Sequence, residues 1–341
     1  MFTLSELEAA ADLVHAQMPA TPAYAWPLLA RRAGVEIWVK HENYTPVGAF
    51  KVRGGIVYMD ALRRSRPDVA GVITATRGNH GQSIARAAAA AGLSATILVP
   101  FGNSVEKNAA MRGFGAELIE HGEDFDTAKD EALRLAKARN LHMVPSFHPD
   151  LVKGVATYAL EFFRQAPPLD AVYIPVGMGS GLCGMIMARD LLGLDTEIIG
   201  VVAENAPAYA LSFEAGQPVA TNSAKTFADG VAVRGPNSEA VAMICKGAAR
   251  VVRVSEAAIA EAIRVYYEDC HTVAEGAGAA PLAAILADFA SDRRSTEADS
   301  KAYRTVPKAS GRPRRIGTIL SGGNIDSAMF AAILNGATPV T

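Results

Sequence analysis

The strongest constraint on what this chain can fold into is a repeated alternation. Short apolar, β-branched runs recur between longer alanine-rich stretches. The runs fall at Gly71–Ala75, Ala95–Val99, Ala116–Ile119, Ala171–Val176, Ile198–Val202, Val251–Val254 and Ile316–Leu320. Between them, Gly81–Gly92, Phe125–Asn140, Val155–Gln165, Glu256–Glu268 and Ala279–Phe289 place apolar residues at three- and four-residue spacing, as helices with one buried face do. Ser255 stands where the fourth of these needs an N-cap. Strands alternating with helices predict an α/β fold built on parallel sheets. A chain of 341 residues predicts one large domain or two intimate lobes.

Composition narrows the partners. Half of the residues are apolar, a fifth are charged and the net charge is −2, a balance that suits a soluble globular enzyme and offers nothing to nucleic acid or a membrane surface. The N-terminal segment carries Glu6, Glu8 and Asp12 and reads as a helix, not a signal peptide. The uncharged stretch Ala171–Ala188 holds Pro175, Gly177, Gly179, Gly181 and Gly184, so it reads as strand, glycine loop and helix rather than a membrane span. Cys183, Cys245 and Cys270 are too scattered for a disulfide framework, and no Cys/His cluster suggests zinc. A cytoplasmic location is expected. The stretch 291–315 has eight Lys/Arg and three Asp/Glu with few large apolar residues, and reads as a charged surface insertion.

Four motifs carry chemistry. Lys51 follows the turn around Pro46 and Gly48 and the apolar Phe50, at the expected start of a helix, where dipole and desolvation favour a neutral amine able to form a Schiff base. Alone it would read as a surface lysine. Thr76-Arg77-Gly78-Asn79-His80-Gly81 follows a strand and opens a helix, freeing backbone N–H groups for a carboxylate or phosphate; a structural turn is the plainer alternative. Gly177-Met178-Gly179-Ser180-Gly181 repeats that arrangement and suits a monophosphate, matching neither the Walker nor the Rossmann pattern. Ser321-Gly322-Gly323-Asn324 puts a hydroxyl at the tip of the last strand, where a capping serine is the alternative.

With these motifs in this order, together with Thr21-Pro22, Gly154 to Glu161, Ala228-Asp229-Gly230 and Glu275-Gly276-Ala277-Gly278, the chain resembles the fold-type II pyridoxal-phosphate enzymes, in the branch of threonine and serine dehydratases and serine racemases. The resemblance covers nearly the whole chain apart from the charged insertion. It implies a two-lobed, tryptophan synthase β-like fold with parallel-rich sheets flanked by helices. The large cofactor-binding lobe would be residues 1–52 and 150–341, the small lobe 53–149. It implies pyridoxal 5′-phosphate held by Lys51 as an imine. Phe50 would pack near the ring, Asn79 would hydrogen-bond the 3′-hydroxyl, Gly177, Met178, Gly179, Ser180 and Gly181 would bind the phosphate, and Ser321 would face the pyridine nitrogen. Thr76, Arg77, Gly78, Asn79 and His80 would hold the substrate carboxylate. A homodimer is expected.

Serine at the pyridine nitrogen cannot keep it fully protonated as a carboxylate would, which favours prompt loss of a β-leaving group. The expected activity is an ammonia-lyase on 3-hydroxy amino acids: Lys51 abstracts the α-proton as general base, water is eliminated, and a 2-oxo acid and ammonia result. The small-molecule substrate would be serine or threonine, or larger, such as phenylserine or 3-hydroxyaspartate. A racemase on the same cofactor and a noncatalytic amino-acid-binding relative are the alternatives. The sequence departs from the family at three places. Ala49 replaces a serine before Phe50-Lys51, Met178 and Ser180 interrupt the usual glycine run, and Arg77 stands where racemases carry a proton-exchanging serine. An arginine, always protonated, disfavours racemisation and could pair with an anionic or aromatic substituent. Glu204-Asn205-Ala206-Pro207 lacks the second carboxylate of a divalent-cation site, so no metal is expected. From the length, no appended regulatory domain is expected.

Overall fold

The strands are Ala23–Ala25 (β1), Glu36–His41 (β2), Gly71–Ala75 (β3), Ser94–Val99 (β4), Glu117–Glu120 (β5), His142–Met143 (β6), Ala171–Pro175 (β7), Glu197–Ala203 (β8), Arg250–Val254 (β9) and Arg315–Leu320 (β10) in a computed structural model that describes residues 2–289 and 314–340. They form two sheets, one of six strands in the order β1-β2-β10-β7-β8-β9 and one of four in the order β5-β4-β3-β6. Every pairing is parallel except β1 with β2, as strands separated by helices require. The four-stranded sheet draws only on residues between 71 and 143. The larger sheet takes strands from both ends of the chain, and β10 lies between β2 and β7.

The charged insertion expected at 291–315 lies outside the described residues except for Arg314 and Arg315. Arg315 belongs to β10 and meets Glu36 of β2 at 3.3 Å, so the strand begins one residue before its apolar run. The helix expected from Val155 begins at Pro149, because proline suits the first helical position and His148 Nδ1 accepts from the Asp150 amide at 3.2 Å. Ser255 caps its helix as expected, accepting from the Ala258 amide at 3.2 Å.

Helices cover both faces of the large sheet. Glu256–Cys270 and Gly276–Asp288 bury Ile259, Ile263, Tyr266 and Leu282 on one side. Pro149–Gln165 and Ser180–Leu191 bury Val155, Phe162, Leu182 and Ile186 on the other. The helix Lys51–Ser65 crosses Pro149–Gln165 at close backbone approach: a Cβ at Gly54 would lie 2.9 Å from the Leu151 carbonyl oxygen, and one at Gly154 would run into the carbonyl of Arg53. Gly154→Ala is therefore expected to lower the unfolding free energy by about 1–3 kcal/mol through forced separation of the helices, read as a fall in urea midpoint; an unchanged midpoint refutes the crossing. Among the described residues no helix is long and apolar enough to cross a membrane.

The turns that leave β2, β3, β7 and β10 at their carboxyl ends all run toward one place between the sheets. That is where open parallel sheets bind ligands, because helix N-termini and short loops converge there.

Candidate active site

One cavity of about 810 Å³ opens at that place, and Phe50, Lys51, Thr76, Arg77, Gly78, Asn79, His80, Gly177, Met178, Gly179, Ser180, Gly181 and Ser321 all line it. The four motifs singled out in the sequence thus meet around one space. Two helices, Asn79–Ala90 and Ser180–Leu191, point their N-termini at it. Each has glycine at its N-cap, Gly78 and Gly179, and neither cap supplies a side-chain hydrogen bond. The Asn79 and His80 amides of the first helix and the opening amides of the second are left for a ligand, at the positive end of each dipole. Gly179 has φ +99°, which only glycine adopts without strain, and a Cβ at Gly177 would overlap the Gly230 carbonyl. Thr76 Oγ1 shapes the other turn, accepting from the Gly78 amide at 3.0 Å and the Gly81 amide at 3.3 Å.

Lys51 begins its helix, and its Nζ donates to Ser180 Oγ at 3.1 Å and sits 4.8 Å from the Phe50 ring centroid. Burial pulls its pKa down to about 8, with Glu275 acting weakly the other way, so a substantial neutral fraction exists near neutral pH. The Phe50 ring packs edge-on against Tyr158 with centroids 5.8 Å apart, and its amide donates to the Ser321 carbonyl at 2.9 Å. That bond ties the end of β10 to the start of the lysine helix. Ser321 itself is 3% exposed.

The remaining motif residues divide by environment. Asn79 Nδ2 donates to Glu275 Oε1 at 2.6 Å, and Asn79 Oδ1 accepts from Asn324 Nδ2 at 2.9 Å. Burial, then the nearby Lys51, lowers His80 to about 3, and its Nε2 is buried without a partner among the described residues. His80 is thus a neutral imidazole in the wall and no acid at neutral pH. Arg77 is exposed at the cavity rim and makes no ion pair among the described residues.

Sequence reasoning assigned no role to a buried ionic cluster beside Asn79. Lys107 Nζ lies 2.5 Å from Asp229 Oδ2 and 3.5 Å from Glu275 Oε2. Although burial opposes it, the two carboxylates raise the Lys107 pKa. Burial pushes the Glu275 carboxyl up to about 7, with the charge of Asp229 adding to the rise and Lys107 opposing it. Asp229 and Glu275 stood inside recognised motifs, but nothing in the sequence marked Lys107, an exposed-looking residue early in the helix Val105–Gly113. Among the described residues no group of three or more His, Cys, Asp or Glu could hold a metal ion.

A family model described as pyridoxal-phosphate dependent enzyme matches residues 16–300 of the chain. The L-threonine ammonia-lyase of Thermotoga maritima is 31% identical over 339 residues, spanning 98% of this chain and 79% of that protein. Several biosynthetic threonine dehydratases match as well, and the chain spans about half the length of those proteins. Among solved structures, the processed threonine deaminase isoform 2 of Solanum lycopersicum superposes with a TM-score of 0.84 at 29% identity, covering 98% of this chain and 95% of that one. A pyridoxal 5′-phosphate-dependent aspartate racemase gives 0.84 at 26% identity, covering 96% and 97%.

Proposed function

Because this chain belongs to the family of pyridoxal-phosphate dependent enzymes, we propose that it is an ammonia-lyase that removes water and then ammonia from 3-hydroxy amino acids. The cavity fits the cofactor on its own terms. It offers a desolvated amine for the aldehyde and two helix N-termini whose N-cap glycines leave opening amides for two anions, one a phosphate and the other a substrate carboxylate. Lys51 would hold the cofactor, Phe50 would flank its ring, and Asn79 would meet the ring hydroxyl. The amides from Gly177 to Gly181, with Met178, Gly179 and Ser180 between, would hold the phosphate, and Ser321 would face the ring nitrogen. The turn Thr76–His80 would bind the substrate carboxylate.

When bound, pyridoxal phosphate supplies the electron sink that acidifies the substrate's Cα–H. Everything else falls to the protein. Lys51, the residue that would hold the cofactor, would also accept the Cα proton on Nζ. The resulting ammonium, desolvated beside Phe50, returns that proton to the departing β-hydroxyl, which leaves as water. His80 is neutral, Ser321 would offer the ring nitrogen a hydroxyl in place of a carboxylate, and the buried carboxyl of the wall, Glu275, is turned to Asn79. Hydrolysis of the product in solution yields the 2-oxo acid and ammonia. Residues 53–149 would form the small lobe and 1–52 with 150–341 the large one, in a cytoplasmic homodimer whose assembly sedimentation would measure.

The observation that carries this reading is the convergence of four separated motifs on one cavity beside a lysine of lowered pKa. Release of 2-oxo acid from serine, threonine, phenylserine and 3-hydroxyaspartate, in both configurations, tests it; no release from any of them refutes it. Likeness to an aspartate racemase supports a second reading, racemisation, and chiral analysis of recovered substrate separates the two. Arg77 argues against racemisation, since a guanidinium does not exchange a proton. Exposed at the rim and without an ion pair among the described residues, it is suited instead to a second carboxylate. Arg77→Ala is expected to weaken use of 3-hydroxyaspartate about tenfold more than use of serine, the worth of a charge-assisted hydrogen bond; equal losses on both substrates refute that selectivity.

The lowered lysine pKa has a measurable sign. A neutral amine attacks the cofactor aldehyde, so uptake of pyridoxal phosphate by the apoprotein is expected to quicken as pH rises and to reach half its limiting rate near pH 8, rather than near about 10.4 as for an ordinary lysine. The growth of cofactor absorbance after mixing measures it.

A further inference from the structure

A hydrogen-bond chain with only one allowed direction runs past Asn79. It starts at the Val47 carbonyl, which can only accept, so Asn324 must turn its Nδ2 toward it, at 2.8 Å. The same Nδ2 donates to Asn79 Oδ1 at 2.9 Å. With its oxygen committed as acceptor, Asn79 presents Nδ2 to Glu275 Oε1 at 2.6 Å. At the far end Lys107, 3.5 Å from Glu275 Oε2 and also paired with Asp229, pulls Glu275 toward its ionised, accepting form against the burial that raises its pKa. Glycines make room for the chain: a Cβ at Gly48 would come within 2.5 Å of Asn324 Oδ1, one at Gly322 would strike Glu275 Oε1, and one at Gly78 would strike the Lys107 side chain.

We propose that Asn324, Glu275 and Lys107 are positioning residues that lock the Asn79 amide, so that its remaining N–H is the group offered to the cavity and its oxygen never is. This rests on the pyridoxal-phosphate reading above. A donor at that place favours the cofactor's ring oxygen in its deprotonated form, because a hydrogen bond to a charged acceptor is about twice as strong as one to a neutral acceptor. Asn324→Ala removes the contact that commits the Asn79 oxygen. Lys107→Met acts from the other end: without the ammonium, buried Glu275 takes up a proton and can itself donate, which contests the direction of the chain.

The test is the absorption spectrum of the cofactor-loaded protein at neutral pH, read with its melting temperature. The wild type is expected mainly in the long-wavelength form, in which the ring oxygen is deprotonated. Each variant is expected to shift the ratio of the two forms about tenfold toward the short-wavelength form, the effect of losing one charge-assisted bond. A purely structural role would lower the melting temperature and leave that ratio in place. A wild-type protein found in the short-wavelength form, or either variant folded and loaded with an unchanged ratio, overturns the proposal. If one variant fails to fold, the other, at the opposite end of the chain, decides. Borohydride fixation of the cofactor at Lys51 keeps the two levels apart: fixation with an unchanged ratio overturns only the orientation chain, and no fixation overturns the cofactor reading with it.

Discussion

Lys51→Ala is expected to abolish release of 2-oxo acid, lowering kcat/KM by at least about four orders of magnitude. Proton transfer by a positioned base is worth up to about 10⁴-fold, and here the same amine also carries the cofactor. The structure explains why no neighbour can substitute. His80 is held near pKa 3 and is neutral. Lys107, the other buried amine in the cavity wall, is kept charged by Asp229 and Glu275. Lys51, by contrast, is lowered by burial to about 8. Mass spectrometry after borohydride reduction provides the matching structural readout, with a mass shift at residue 51 in the wild type and none in the variant. Full activity in Lys51→Ala would end the proposed mechanism.

The second large effect concerns stability. Arg53, two residues beyond Lys51 on the same helix, is fully buried, and its five donors are all engaged. Nε and Nη2 reach Glu42 at 2.7 and 3.0 Å, Nη1 and Nη2 reach Glu161 at 2.5 and 2.8 Å, and Thr157 and Thr21 complete the set. Lys40, also buried, adds a bond to Glu161 at 2.6 Å. Arg53→Met keeps the volume but strands Glu42 as an uncompensated buried carboxylate, for a loss of about 3–5 kcal/mol of unfolding free energy. Urea denaturation measures it, and a loss below about 1 kcal/mol, the size of a surface pair, would refute the account. Arg53→Lys is expected to restore only part, since an ammonium has three donors in place of a planar fork. The cluster also sets an acid limit. Despite burial, Arg53 and Lys40 hold Glu161 at about 2, below its ordinary 4.5. Its contribution is therefore complete above about 4.5 and is lost as pH falls toward 2.

Much of this architecture is legible in the sequence because its physics is local. β3, β4, β7, β8, β9 and β10 announce themselves as apolar runs, and the structure moves their ends by a residue at most. β2 does not, because Glu36, Lys40 and His41 break its pattern, and only distant partners such as Glu161 make Lys40 acceptable in the interior. β1 and β6, of three and two residues, are too short to carry a period. In the site, Asn79, the glycine loop and Ser321 can be found because each follows a legible strand, whereas Lys51, after the turn around Pro46 and Gly48, stands out only together with those motifs. Lys107 cannot be found, since its burial depends on Asp229, 122 residues away in sequence.

The position of β10 imposes an order on biosynthesis. β2 and β7 cannot become second neighbours until residues 315–320 have been made and slotted between them. The four-stranded sheet is complete once residue 143 has left the ribosome. During translation, one half of the cavity wall is ready long before the other. The edges of β2 and β7 stay open in the meantime, the interval in which a nascent chain is most exposed to wrong pairing and to chaperones.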